Sequence, residues 1–422
     1  MEEPDVVEQT VKPIALPRSP SNETFAAFRH RNYQLYFGGQ LISNAGTWMQ
    51  TIAQSWLVYQ IGHSEITLGL VAFASAIPTL AITPWAGVVV DRVSRRTLLI
   101  LTQIGAMLLA LILAALTFTG LVKEWHIIIL AAMLGIVNAF DAPARQALIP
   151  EMVGKGDLPN AIALNAMMFN GARVLGPALA GFLLVIVGAG WCFTLNGISF
   201  LAVILGLWLM KLPPHQAEPN PASPWQQLVS GIKYTTHSRE MSALILLALV
   251  FNVFGFSYPT LLPAFVEKVL HQGAQAYGWV TAASGMGAVS GAILVAGQFT
   301  NGRRGQLLVL LNFAFPLLLI AFSFTSYFPL SLVLAFGLGI GFMLQFTSLN
   351  TLLQTHVEDG FRGRVMALYM LTSFGFAPFG YLLIGFLGEN LGLGFAITIF
   401  ALCSLSLSQL ILLKFPEVQE LS

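Results

Sequence analysis

Apolar runs of about twenty residues, the length needed to cross the hydrocarbon core of a bilayer as a helix, recur along almost the whole chain. Only 9% of the 422 residues are charged and 56% are apolar, against roughly 25% charged in soluble domains. That balance cannot clothe a water-soluble surface. A β-barrel would alternate polar and apolar positions every second residue, and runs such as Leu98 to Leu121 do not. The fold class expected is therefore an all-α integral membrane protein with twelve transmembrane helices in two six-helix, pseudo-symmetric bundles. Breaks at charged and turn-rich points place the helices near 36–60, 67–90, 98–119, 125–146, 162–187, 191–210, 241–266, 276–298, 306–325, 328–350, 364–388 and 392–414.

The distribution of charge sets the orientation. With the N-terminus in the cytosol, seventeen of the twenty Lys and Arg residues fall on the inner side, Lys123 and Lys268 fall outside, and Arg173 lies within the membrane. Both termini are then cytosolic. The expected organisation is an N-terminal tail (1–32), a first bundle (33–210), a cytosolic linker (211–240), a second bundle (241–414) and a C-terminal tail (415–422). The linker opens with Pro213, Pro214, Pro219, Pro221 and Pro224. Trp225, Leu228, Val229 and Ile232 follow at helical spacing, which predicts an amphipathic helix on the membrane face. Residues 1–24 are acidic and polar, unlike a signal segment.

The two halves repeat one another. Gly69-Leu-Val-Ala-Phe-Ala-Ser75, running on to Asp91 and Arg92, aligns with Gly278-Trp-Val-Thr-Ala-Ala-Ser284, running on to Thr300 and Asn301. Leu175-Gly-Pro-Ala-Leu-Ala-Gly181 aligns with Phe376-Ala-Pro-Phe-Gly-Tyr-Leu382. Internal duplication of this kind marks transporters that move two halves about a central site.

These repeated segments resemble the major facilitator superfamily, and the resemblance extends over residues 25 to 414. Gly87, Asp91, Arg92, Arg95 and Arg96 match the loop signature G-x-x-x-D-R-x-G-R-R/K, with Ser94 replacing its second Gly. Gly176, Pro177 and Gly181 match the exporter-type element G-P-x-x-G-G, with Ala180 as the departure. The opening Phe28-Arg-His-Arg-Asn-Tyr33, the segment Asp141-Ala-Pro143-Ala-Arg145 and the segment Asn170-Gly-Ala-Arg173 resemble the branch of enterobactin exporters and macrolide efflux proteins. The resemblance implies a charge relay between Arg95 and Asp141, with Asp91 and Arg95 holding the cytosolic ends of the halves together and Arg92, Arg96 and Arg145 beside them.

Polar residues inside a bilayer are the functional candidates. Gln40, Asn44, Thr47, Thr51 and Gln54 recur at intervals of four and three and share one stripe, which points to a cavity wall or to inter-helix hydrogen bonds. Asn138, Asp141 and Arg145 share a face of the fourth helix. Asp141 is read either as the relay acid or as a proton acceptor. Arg173 requires a partner, since an Arg near mid-span costs on the order of 2.5–3.5 kcal/mol to insert. Asp141, an anionic substrate group and a purely structural role all stay open for it. Asn252, Phe256 and Pro259 mark the seventh helix as breakable, and Gln345 and Tyr369 add polar groups to the tenth and eleventh. With Trp48, Phe256, Phe346 and Tyr369, the choice is between packing and gripping an aromatic substrate.

The function expected is secondary active export of a small, siderophore-like or drug-like molecule across the bacterial inner membrane by alternating access, with proton antiport. The alternatives are multidrug or macrolide efflux and uptake of a small metabolite. No Walker-type loop is present for ATP, and a net charge of +1 disfavours nucleic acid. A membrane enzyme would need paired acids or a nucleophile with its base. Cys192 and Cys403 sit in apolar runs, from which no zinc-ligand cluster can be assembled, and neither metal nor cofactor is expected; the histidines lie at helix ends or in loops, which argues against a histidine proton relay. The expected partners are the substrate, the lipid bilayer and the proton, with the chain acting as a monomer.

Overall fold

A computed structural model describes residues 25–212, 224–298, 303–358 and 360–421. The tail to residue 24, the linker prolines up to Pro221, Thr300, Asn301 and the Asp91 side chain lie outside the described part. Among the described residues every regular element is a helix. The first bundle contains α1 (Arg31–Gly62), α2 (Glu65–Arg92), α3 (Arg95–Phe118), α4 (Glu124–Gly154), α5 (Gly156–Ile186) and α6 (Ala189–Leu209). A short α7 (Pro224–His237) follows. The second bundle contains α8 (Arg239–Lys268), α9 (Ala274–Gln298), α10 (Arg304–Phe324), α11 (Phe328–His356), α12 (Arg362–Leu391) and α13 (Leu393–Lys414).

Eleven of these are long and apolar enough to cross a membrane. The exception among the long helices is α1, whose 32 residues exceed the length required but whose Gln, Asn and Thr side chains dilute its hydropathy. Side chains such as Leu205, Leu310, Val333, Phe395 and Leu413 are left exposed on the outer surface, where hydrocarbon suits them. The predicted amphipathic helix is α7. It lies against α12, where Gly231 approaches the Arg364 carbonyl, and leaves Val229 and Ile232 exposed.

Duplication is visible in the packing. Gly135 of α4 sits on the Ser75 carbonyl of α2, and Gly339 of α11 sits on the Ser284 carbonyl of α9. Ser75 and Ser284 are the aligned repeat positions, so the same backbone contact is made twice. The turn into the last helix of each half also repeats. It passes through Gly188 (φ 83°) and Gly392 (φ 88°), conformations that an L side chain rarely adopts.

Two expectations are corrected here. The fourth helix does not stop near 146, nor does the fifth begin near 162: helix continues through Pro143 and Pro150 and breaks only at Gly154, whose φ of 70° interrupts it. Pro159 falls in the first turn of α5, where an N–H has no helical partner to lose. In α8 the helix is interrupted as its Asn, Phe and Pro pattern suggests, by a π turn at Phe251–Gly255 and a 3-10 turn at Tyr258–Leu261. A second π turn at Leu371–Gly375 interrupts α12; such turns favour functional positions.

The two ends of the molecule differ. We call the end at which α1 turns into α2 distal, and the one bearing the Arg92–Arg96 segment basic. A single apolar core joins both halves at the distal end, with Tyr59, Leu68, Ile127 and Phe193 beside Leu261, Phe265, Phe322 and Ile384. Toward the basic end each half has its own core: Tyr33, Leu99, Leu148 and Leu207 in the first, and Leu244, Leu308, Leu353 and Leu412 in the second.

Candidate functional site

Between the halves lies a cavity of about 470 Å³. Its first-half wall mixes apolar and polar side chains and carries the amides and charges that line it. Asn44, Thr47, Trp48, Thr51 and Gln54 come from α1, Asn138, Asp141 and Arg145 from α4, and Arg173 from α5. Most of the α1 stripe therefore faces the cavity. Gln40 is its exception, buried nearer the basic end, where its amide oxygen accepts a 2.6 Å hydrogen bond from Arg145 Nη1. The second-half wall is mainly aromatic and hydroxylic: Phe256 and Tyr258 from α8, Tyr277, Thr281 and Ser284 from α9, and Tyr381 from α12.

Asp141 is buried and its oxygens are occupied. Oδ1 accepts from Thr102 Oγ1 at 2.9 Å and Gln103 Nε2 at 2.7 Å, while Oδ2 pairs with Arg145 one turn along the same helix. The expected Arg95–Asp141 relay is not formed. Arg95 instead pairs with Glu151 and donates to the Ala147 carbonyl at 3.2 Å. The reason is the length of α4: Glu151 stands ten residues beyond Asp141, about 15 Å along the axis, and so reaches the level at which α3 begins. Arg96 donates to the Trp208 carbonyl at 2.5 Å, and Arg92 is exposed. The contacts of Arg95 and Arg96 stay within the first half and do not tie the two halves together.

Arg173 does not pair with Asp141 either. Its guanidinium lies over three rings, 4.8 Å from the Phe342 centroid and 5.9 Å from those of Trp48 and Phe256. Among the described residues no carboxylate pairs with it. Each cation–π contact contributes roughly 0.5–2 kcal/mol, against roughly 2.5–3.5 kcal/mol to insert a mid-span charge. The rings belong to a larger array, with Phe256 stacked on Phe342 at 4.0 Å and Phe342 on Phe346 at 6.1 Å.

Three predicted wall residues lie outside the cavity. Asn252 is buried in the π turn that interrupts α8 and donates to the Ala248 carbonyl at 2.8 Å. Tyr369 is fully buried with its hydroxyl 3.5 Å from the Phe346 carbonyl. Gln345 is fully buried, and neither amide atom has a hydrogen-bond partner among the described residues. All three belong to the interior of the second bundle, where aromatic side chains, not amides, reach the cavity. Sequence reading also missed Gln50 and Asn196, which line the cavity and bond to each other at 2.7 Å. The signal available for Gln50 was its place one turn before Gln54; Asn196 stood alone in an apolar run.

The exporter-type element is a packing device. A Cβ on Gly176 would lie 2.4 Å from Trp48 Cβ, so this glycine seats α5 on α1. Gly181 faces Gly278 of α9 across the halves, where a Cβ on Gly278 would lie 2.6 Å from Gly181 Cα and 2.7 Å from the Pro177 oxygen. Across the other seam, Gly69 of α2 meets the Tyr381 carbonyl and Gly385 of α12 meets the Glu65 carbonyl. Gly87 has open space around it. Polar ties reinforce the distal seal. Lys268 Nζ donates to Glu65 at 2.7 Å, Glu389 accepts from Ser64 Oγ at 2.6 Å and from the Ile66 N–H at 3.0 Å, and Gln60 donates to Glu267.

Solved transporters share this architecture. The nucleoside transporter NupG superposes with a TM-score of 0.72 at 14% identity, over 93% of this chain and 99% of that one. A bacterial homologue of the human lysosomal transporter Spinster, inward-facing and unoccupied, gives 0.65 at 15% identity over 95% and 99%. By sequence the chain is 26% identical to the staphyloferrin A transporter of Staphylococcus aureus, over 85% of this chain and 90% of that protein. It is 25% identical to the multidrug efflux pump Tap of Mycolicibacterium fortuitum, over 84% and 88%. Residues 22–421 match the model of the transmembrane secretion effectors. The chain is thus a multi-pass integral membrane protein of the major facilitator superfamily, and belongs to its transmembrane secretion effector family.

Proposed function

We propose that this protein is a secondary active exporter that carries a small organic molecule across the bacterial inner membrane by alternating access, in exchange for protons. The observation that carries the reading is the asymmetry around the cavity: one shared core and several cross-half ties at the distal end, separate cores at the basic end. Such an arrangement lets each half move as a body about a site between them. The positive-inside distribution puts the basic end in the cytosol, so the present form is the one that loads from within. Asp141 is the carboxylate in the cavity wall and the residue on which proton coupling is to be tested.

The secretion effector family and the multidrug efflux relative support export, and the relatives' names, a staphyloferrin A transporter and a multidrug efflux pump, divide on the cargo. The aromatic side chains that line the cavity, Trp48, Phe256, Tyr258, Tyr277 and Tyr381, favour the drug-like reading; the hydrogen-bonding stripe on α1 favours a polar siderophore-like molecule. Mass spectrometry of medium and cells, comparing a strain with and without the gene under iron limitation, separates them. Loss of an iron chelator from the medium with accumulation in the cells is the result expected for siderophore export. An unchanged metabolite profile with raised accumulation of an aromatic drug supports drug efflux. Reduced uptake of any compound in the strain lacking the gene contradicts export.

A further inference from the structure

We propose that Arg173 is the binding residue for a carboxylate on the transported molecule, and that this carboxylate is attached to a flat aromatic portion that lies against the rings around it. The inference rests on the reading of the cavity as the transport path. Three charged side chains line that cavity: Asp141, Arg145 and Arg173. The first two neutralise each other, and both are further engaged, Asp141 by Thr102 and Gln103 and Arg145 by Gln40. What remains is one positive charge, on a guanidinium that donates no hydrogen bond to a described residue.

A low-dielectric cavity with one unmet cation selects an anion. The planar fork of Arg N–H groups matches a carboxylate with two parallel hydrogen bonds, which a spherical anion or a neutral carbonyl cannot accept equally. A cationic ligand would face Arg173 with the one cavity carboxylate already occupied. Trp48, Phe256 and Phe342 surround the same guanidinium and offer ring faces and edges to an aromatic group joined to the carboxylate. The amides of Asn44, Gln54 and Asn138 supply hydrogen bonds further along the wall.

The test uses purified full-length protein in lipid nanodiscs and three probes of one shape: 2-naphthoate, 2-naphthamide and 2-naphthylmethylammonium. Isothermal titration on the wild type is expected to give naphthoate an affinity at least about tenfold above naphthamide, with the ammonium weakest. In Arg173→Gln the ratio of naphthoate to naphthamide affinity falls to about one, and Arg173→Lys, which keeps the charge but not the fork, falls between. Equal binding of naphthoate and naphthamide by the wild type, or an unchanged ratio in Arg173→Gln, overturns the assignment while leaving the cavity as the transport path. Binding of none of the probes by protein that remains helical and monodisperse overturns both. The wild-type preference decides the matter should Arg173→Gln fail to fold.

Discussion

The distal and basic ends of this protein are made by the same long helices, yet among the described residues the ties across the halves gather at the distal end. The distal seal combines backbone-to-backbone contact at Gly181 and Gly278, and at Gly69 and Gly385, with the Lys268–Glu65 pair and the bonds to Glu389. At the basic end the comparable contacts remain inside a half: His30 with Asp157 and Arg95 with Glu151 in the first, Arg239 with Glu417 and Tyr234 stacked on Phe361 in the second. The difference teaches that closure here depends on small residues and a few ionic ties. Lipid gives helices no hydrophobic reason to associate, so close approach of backbones supplies the attraction. A seal made this way can be reversed without unfolding either bundle.

The comparison can be broken most severely at Gly278. In Gly278→Val the new side chain enters space held by Gly181 and Pro177, and we expect transport in proteoliposomes to fall more than about tenfold, a loss of at least ~1.4 kcal/mol in the closed arrangement. Wild-type transport by this variant would remove the glycine seam from the mechanism. Asp141→Ala acts inside one half. It strips the partner from half-buried Arg145, and loss of one member of a fully buried pair costs about 3 kcal/mol, which sets the upper end of the expected loss. A lowered thermal midpoint is expected, with Asp141→Asn losing less because its side-chain oxygen still accepts from Thr102.

Lys268→Met sharpens the contrast by weakening a tie across the halves. The half-exposed lysine is paired with buried Glu65, so the distal-closed population should drop by about fivefold, roughly 1 kcal/mol, with little change in thermal midpoint. Labelling of a cysteine placed at the distal seam reports that population. Arg95→Ala gives the smallest effect. Its pair with Glu151 is half-buried and within one half, and a stability loss of about 0.5–1 kcal/mol without a shift between distal-open and distal-closed forms is expected. A marked shift would restore a gating role that this geometry does not give it.

The fold was legible in sequence because hydrocarbon imposes simple demands: apolar length gave the helices, and Gly69 to Ser75 against Gly278 to Ser284 gave the repeat that the paired glycine contacts display. The polar wall was legible for the same reason, since Asn44, Thr47, Thr51 and Gln54 recur at helical spacing and a polar stripe in a bilayer requires a wet or polar neighbour. Partners were harder. The resemblance pairs Arg95 with Asp141, and a fourth helix that ends near 146 leaves Glu151 outside it, whereas the helix runs on to Gly154 and brings Glu151 to Arg95. The rings over Arg173 come from α1, α8 and α11, a meeting of distant segments that local periodicity does not encode. Gln345 and Tyr369 were misplaced because spacing along one helix does not say which side the neighbouring helices cover.

Distances between spin labels at both ends, measured together by double electron–electron resonance, test alternating access most directly. One label pair, on Leu121 and Ser326, spans the distal turns; the other, on Ser94 and Thr355, spans the basic end, and all four positions are exposed. The account predicts two populations in wild-type protein, in which a short distal distance accompanies a long basic one and the reverse, and loss of the distal-short population in Gly278→Val. Distances that lengthen and shorten together, or a Gly278→Val distribution identical to wild type, would contradict it.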